Sequence, residues 1–333
     1  MRLLLPLTIV FFTAAQALGA DSKIPLPVST PYASDRTLLE SDFVRFDWRD
    51  PTRERAVPVK VYFPTAGEEP FPVVLFSHGL GGTREGYEYL ARQWAAHGYV
   101  CVHLQHPGSD DSVWRGSNDR MGAMRKAANG QNAIDRAKDV SVAIDQLELL
   151  NAADGDLKGR LDLKHIGMSG HSFGAQTTLL VVGQKLGGPS LARATGDLVD
   201  KRVIAALPMS ATVPVLRSRL DTTFGSITVP VFLMTGTEDD SPLNETKAKD
   251  RRLPFDHLKS TPAYLLILEA GDHMVFSGRR IDKPTDPVQQ KHIRVASTAF
   301  WDAFLKGDTL AKKWLNDGDF KMLLDKDGTF DQR

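Results

Sequence analysis

Cysteine is nearly absent. Cys101 is the only one in 333 residues, so no intramolecular disulfide can form and stability must come from a packed core. Within the apolar run Tyr99 to Leu104 it reads as a small core side chain. An excess of charge of either sign is also missing. Lys plus Arg and Asp plus Glu each total 41, for a formal net charge of zero. The chain therefore lacks the basic footprint of a nucleic-acid binder. No internal repeat and no clear linker divides it, which predicts one domain over residues 21–333. No apolar run reaches the ~20 residues of a membrane-spanning helix.

The N-terminal run Leu3 to Leu18 falls short of that length and contains Pro6. It follows Arg2 and leads to Ala15, Ala17, Gly19 and Ala20, then to polar Asp21-Ser22-Lys23. A charged start, an apolar middle and small residues at the end make a signal-peptide pattern. The expectation is a leader over residues 1–20, export to the periplasm or beyond, and no membrane span in the remainder.

Downstream, apolar runs and helical patterns alternate. Phe43 to Trp48 and Val57 to Phe63 alternate apolar with polar residues, as half-buried strands do. Pro58 favours an edge position for the second. Pro72 to Ser77, Tyr99 to Leu104, Val203 to Met209 and Val229 to Thr235 are continuous apolar runs typical of buried parallel strands. Tyr264 to Glu269 reads as the last strand. Helical spacing appears at Tyr87 to Ala95, at Ile134 to Leu150, at Ala175 to Lys185 and around Ala296 to Leu305. His106 to Gly130 has little periodicity and reads as a loop or lid excursion. The tail after Lys306 is polar, with a short helical patch near Trp314. Strands alternating with helices predict an α/β fold, a mostly parallel sheet covered by helices on both faces.

The most informative run is Gly170-His171-Ser172-Phe173-Gly174, between an apolar stretch ending at Met168 and a helical one. A serine flanked by glycines at a strand-to-helix turn resembles the nucleophile elbow of α/β-hydrolases. The turn is tight, and side chains two residues either side of the serine would strike neighbouring backbone. A serine hydroxyl needs a base within hydrogen-bond reach and an acid behind that base. In this fold the order is Ser, acid, His. The strand ending in Gly236-Thr237-Glu238-Asp239-Asp240 offers Asp239 as the acid, with Asp240 and Glu238 as rivals. The loop Gly271-Asp272-His273-Met274 offers His273 as the base. The glycine-rich loop Ser77-His78-Gly79-Leu80-Gly81-Gly82 follows an early strand. Its small residues leave main-chain N–H groups clear, so Leu80 and Phe173 are the expected oxyanion donors. His78 is expected to brace that loop.

Other histidines read as structural. His97 precedes Gly98 at a helix end, and His165 begins a strand. His103 and His106 lie three apart, on opposite sides of a strand if it continues, so no metal site is expected. No cofactor is expected either. Asp110-Asp111 reads as a solvated loop pair. Trp114, Met121 and Met124 are candidates for pocket or lid residues.

The combination of Ser77-His78-Gly79-Leu80-Gly81, Gly170-His171-Ser172-Phe173-Gly174 and Gly271-Asp272-His273 resembles the platelet-activating-factor acetylhydrolase-like and dienelactone-hydrolase-like esterases of the α/β-hydrolase superfamily. The resemblance runs from about Pro72 to Phe304. It implies a small-molecule or lipid ester as substrate, a short acyl group, a nucleophile at Ser172, an oxyanion donor at Leu80, and neither metal nor cofactor. Dienelactone hydrolases carry cysteine at the elbow where this chain has Ser172, which points to a carboxylesterase. Ala175 stands where related acetylhydrolases often carry another glycine. The expected protein is an exported serine carboxylesterase. Its rivals are a lipase or polyesterase acting on longer or polymeric esters, and an inactive binding protein of the same fold. Oligomeric state stays open.

Overall fold

The computed structural model describes residues 24–187, 198–214, 216–259, 261–278 and 283–333. The expected leader, and most of the Leu186 to Lys201 segment, lie outside them. Among the described residues no helix is long and apolar enough to cross a membrane.

Among the described residues nine strands form one sheet, in the order β1-β2-β4-β3-β5-β6-β7-β8-β9. They are β1 Ser41–Asp50, β2 Arg55–Pro64, β3 Phe71–Ser77, β4 Val100–Leu104, β5 Leu161–His171, β6 Val203–Met209, β7 Val231–Glu238, β8 Ala263–Asp272 and β9 Gly328–Gln332. The six strands from β3 to β8 run parallel, while β1, β2 and β9 pair antiparallel at the two ends. The described α-helices are α1 Glu88–Ala96, α2 Arg120–Ala127, α3 Gly130–Ala152, α4 Phe173–Val181, α5 Leu220–Phe224, α6 Leu253–His257, α7 Asp286–Leu305, α8 Thr309–Asn316 and α9 Asp319–Leu324. This is the α/β-hydrolase fold.

Strand β3 shows why the central runs are apolar throughout. Its side chains alternate between faces, and helices cover both. Val73 and Leu75 pack in the core that holds Val140, Ile144 and Leu147 of α3 and Leu179 and Leu180 of α4. Val74 and Phe76 pack in the opposite core, with Leu90 and Trp94 of α1 and Phe300 and Trp301 of α7. Trp94 Nε1 donates to Ser297 Oγ at 2.9 Å, which satisfies the one polar atom of a fully buried indole.

Three expectations are corrected. Strand β2 is not at the edge, because β1 lies outside it. Pro58 is tolerated because the β2–β4 ladder ends at Val59 opposite Leu104. Its carbonyl, on the β4 side, accepts from Gln105 N–H at 2.8 Å. The proline's missing N–H faces that same side, just past the ladder. Second, β8 is followed by β9, which pairs through Leu266 opposite Phe330. Phe330 is the only buried residue of that short strand, so its periodicity is too weak to read. Third, the excursion from His106 to Gly130 contains helix α2. Asp110 within it is buried rather than solvated, and it accepts from Gln105 Nε2 and Ser112 Oγ.

The elbow sits where β3, β5 and α4 converge. Ser172 has φ 57° and ψ −114°, a conformation that L residues rarely adopt. A Cβ at Gly170 would come within 2.4 Å of Gly174 O, and one at Gly174 within 1.9 Å of Ser77 O. Gly174→Ala is therefore expected to destabilise the fold by about 3 kcal/mol, as overpacking against backbone does. Gly130→Ala, where a Cβ meets nothing within 4 Å, is the matched control. Urea unfolding of the two variants is the measurement. Equal midpoints would show that the elbow does not need its glycine.

Candidate active site

Three strand ends bring the predicted residues together. Ser172 follows β5, with its N–H donated to Met209 O of β6 at 2.9 Å. Asp239 follows β7 and His273 follows β8. Those two loops meet because Gly236 and Gly271 allow close backbone approach. A Cβ at Gly236 would come within 2.1 Å of Gly271 O. The result is a continuous line: His273 Nε2 lies 3.0 Å from Ser172 Oγ, and His273 Nδ1 lies 2.7 Å from Asp239 Oδ1.

Asp239 is fully buried. A buried carboxylate needs its lone pairs filled, and here they are. Oδ2 accepts from Ser210 Oγ at 2.6 Å and from Thr235 Oγ1 at 2.8 Å. Oδ1 faces both His273 Nδ1 and Arg251 Nε, the latter at 3.1 Å. Arg251 is itself buried, and it donates to Asp239 O, Ser210 O and Ala211 O. Burial lowers the Arg251 guanidinium from its usual value, with Asp239 and then Asp240 opposing. Arg251 Nη2 also stands 3.3 Å from His273 Nδ1. That nitrogen cannot both accept from arginine and donate to Asp239. The shorter contact, to Asp239, assigns the proton to Nδ1 and leaves Nε2 free to accept from Ser172.

The two rival carboxylates are engaged elsewhere. Asp240 is exposed and pairs with Lys247 Nζ at 2.8 Å and with Ala248 N–H. Glu238 is exposed and pairs with Lys283 Nζ at 3.1 Å. The other histidines stand as follows. His97 caps α1. His165 pairs with Asp162, and His257 with Asp221. His292 is buried in α7 and pairs with Asp327. His103 is buried and bonds Gly86 O. His171 is buried against the ring of His273, with centroids 4.7 Å apart, and its Nδ1 meets Tyr87 Oη at 2.8 Å. Burial first, and then the nearby His273, push the His171 imidazole well below its usual value, so it stays neutral. Among the described residues no cluster of three His, Cys, Asp or Glu is arranged to hold a metal ion.

Leu80 and Phe173 lie on the two loops that flank Ser172, one after β3 and one opening α4. Neither N–H is donated to an acceptor among the described residues. The excursion packs on the first of these loops. Trp114 Nε1 donates to Gly81 O at 2.8 Å, and Gly81 N–H donates to Ser109 O. Trp114 and the Met124 sulfur crowd the space beside Gly81, which has φ +73°. Met121 is exposed. Two surface cavities, of about 610 and 670 Å³, open away from this region; none of Leu80, Ser172, Asp239 or His273 lines either.

Residues 52–115 match the family model described as platelet-activating factor acetylhydrolase, isoform II. That span holds β3, the Leu80 loop and β4. Two curated relatives are named platelet-activating factor acetylhydrolase. The one from Cavia porcellus is 26% identical, over 37% of this chain and 34% of its own length. The one from Canis lupus familiaris is 28% identical, over 35% of this chain and 33% of its own length. The chain resembles the platelet-activating-factor acetylhydrolases. The similarity spans about a third of the length of those relatives. The residues that motif reasoning missed are Ser210, Thr235 and Arg251. Arg251 sits in the basic run Lys247 to Arg252, which looks like an ordinary solvated face.

Proposed function

We propose that the chain is a serine carboxylesterase that hydrolyses short-acyl esters through an acyl-enzyme, with Ser172 as nucleophile, His273 as base and Asp239 as orienting acid. The hydrogen-bonded line from Ser172 Oγ through His273 to Asp239 carries this reading. His273 Nε2 takes the Ser172 proton as Oγ attacks the ester carbonyl. The carbonyl oxygen, now negative, is met by the Leu80 and Phe173 N–H groups. The alcohol leaves with the proton that His273 returns. Water then loses a proton to His273 and attacks the acyl group, and Ser172 is released with its hydroxyl restored. Asp239 holds the Nδ1–H tautomer throughout and stabilises the transient imidazolium. None of these steps calls on a metal or a cofactor.

The relatives' names support an acetyl-sized acyl group. Export rests on the N-terminal pattern alone. The mature chain is read as one domain over residues 21–333, acting on a small-molecule or lipid ester.

A fluorophosphonate probe is expected to label Ser172 stoichiometrically, with the adduct located by peptide mass spectrometry. A p-nitrophenyl ester series should then give its highest kcat/KM at acetate or propionate. Absence of the label on folded protein leaves only an inactive binding protein. A maximum at octanoate or beyond moves the enzyme to the lipases.

A further inference from the structure

A second Ser-His-Asp line is buried beside the elbow, where Ser77 O lies against Gly174. Ser77 Oγ is 2.8 Å from His106 Nε2, and His106 Nδ1 is 2.9 Å from Asp139 Oδ2. All three residues are 0% exposed, so no ester reaches Ser77 and this line does no hydrolysis. Arg53 and Arg55 each reach Asp139 Oδ1 at 2.8 Å, so the buried carboxylate keeps its charge. Burial pushes the His106 imidazole down to about 4, leaving it neutral at pH 7. Its Nδ1–H then donates to Asp139, and its bare Nε2 accepts the Ser77 hydroxyl.

From His106 the connection continues to the glycine-rich loop. Its main-chain N–H donates to His78 Nε2 at 3.2 Å. That contact leaves the His78 proton on Nδ1, which donates to Gly79 O at 2.6 Å. Gly79 O also accepts Gly82 N–H at 3.0 Å. The carbonyl before it, His78 O, accepts from Arg136, which is also held by Ser109 Oγ and Thr177 Oγ1. Gly79 C=O and Leu80 N–H are opposite ends of one planar trans peptide. Anchoring the carbonyl from one side aims the N–H to the other. A hydrogen-bonded carbonyl also polarises its own amide and makes that N–H a better donor.

We propose that His78, seated by His106 on the buried Asp139–Ser77 line, is a positioning residue that turns the Gly79–Leu80 peptide toward the oxygen that becomes negative when Ser172 attacks. This rests on Leu80 being an oxyanion donor. The effect belongs to the transition state, so it acts on kcat and leaves ground-state binding nearly alone.

His78→Phe keeps the ring volume and removes the donor. His78→Asn shrinks the side chain but returns an N–H near the place of Nδ1. On p-nitrophenyl acetate, His78→Phe is expected to lower kcat by about tenfold or more, less than outright loss of an oxyanion donor costs, with KM within about twofold. A trifluoromethyl ketone, which adds to Ser172 as a tetrahedral oxyanion, should lose affinity by the same factor. His78→Asn should recover most of both. The reverse order, with phenylalanine near wild type and asparagine worse, is the signature of space-filling and overturns the proposal. Should the ring variants not fold, Ser77→Ala removes only the hydroxyl that seats His106, and it is expected to show the same paired loss at smaller size. Unchanged kcat and ketone affinity there also overturn the proposal. Ser172→Ala, run alongside, separates the two ideas. If it is inactive while His78→Phe turns over normally, only the positioning role fails. If it stays active, the reading beneath fails.

Discussion

Ser172→Ala is expected to lower kcat on p-nitrophenyl acetate by on the order of 10⁶-fold, as in other serine triads. The change removes one oxygen and leaves the elbow intact. Alanine meets the same φ of 57° that Ser172 already occupies, and Gly170 and Gly174 still give the clearance the turn needs. Folding should therefore be retained, which separates loss of chemistry from loss of structure. Residual turnover of roughly 10³-fold over water is expected from oxyanion binding alone. The measurement is initial rate on protein whose circular dichroism and melting match the parent. Turnover within tenfold of the parent would remove Ser172 from the reaction, and with it the acyl-enzyme.

The second large effect concerns one carboxylate among three neighbours. Asp239→Asn is expected to cost on the order of 10⁴ in kcat, because an amide no longer enforces the tautomer that His273 needs. Two features of this site sharpen that loss. Oδ1 faces both Arg251 Nε at 3.1 Å and His273 Nδ1 at 2.7 Å, so an NH₂ in that place would oppose two N–H donors at once. Ser210 and Thr235 both donate to Oδ2, and they too favour an oxygen there. An amide cannot present oxygen to every donor, and His273 is left facing the wrong group. Asp240→Asn and Glu238→Gln, at exposed positions held by lysines, should stay within about threefold, as surface substitutions usually do. Steady-state kinetics of the three variants decides the matter. A crippled Asp240→Asn beside an active Asp239→Asn would shift the acid by one residue.

How far the sequence could be read varies from element to element. The buried strands were legible because a run such as Pro72 to Ser77 has no polar face to hide. The elbow was legible because a serine between two glycines is a statement about backbone clearance, and the separations at Gly170 and Gly174 are of that kind. Arg251 was not legible. Nothing in Lys247 to Arg252 distinguishes the one guanidinium that turns inward from its solvated neighbours. The same holds for Asp110, half of an acidic pair and yet buried, and for β9, whose single buried residue carries no periodic signal. His106 reads as the start of a loop. Its partners, Ser77 and Asp139, lie 29 and 33 residues away in the chain.

By itself the sequence determined the alternation of strands and helices, the sharp turn at Ser172, and the order in which a hydroxyl, a carboxylate and an imidazole appear. These follow from local rules: side-chain period, glycine clearance and capping. Only the tertiary structure decided which of Glu238, Asp239 and Asp240 faces His273, and which polar side chains saturate the chosen one. Those choices depend on the angle at which β7 and β8 deliver their loops and on what Ser210, after β6, and the Lys247–Arg252 segment bring from elsewhere. Burial of a charge is settled by all of its neighbours at once, and no local pattern names them.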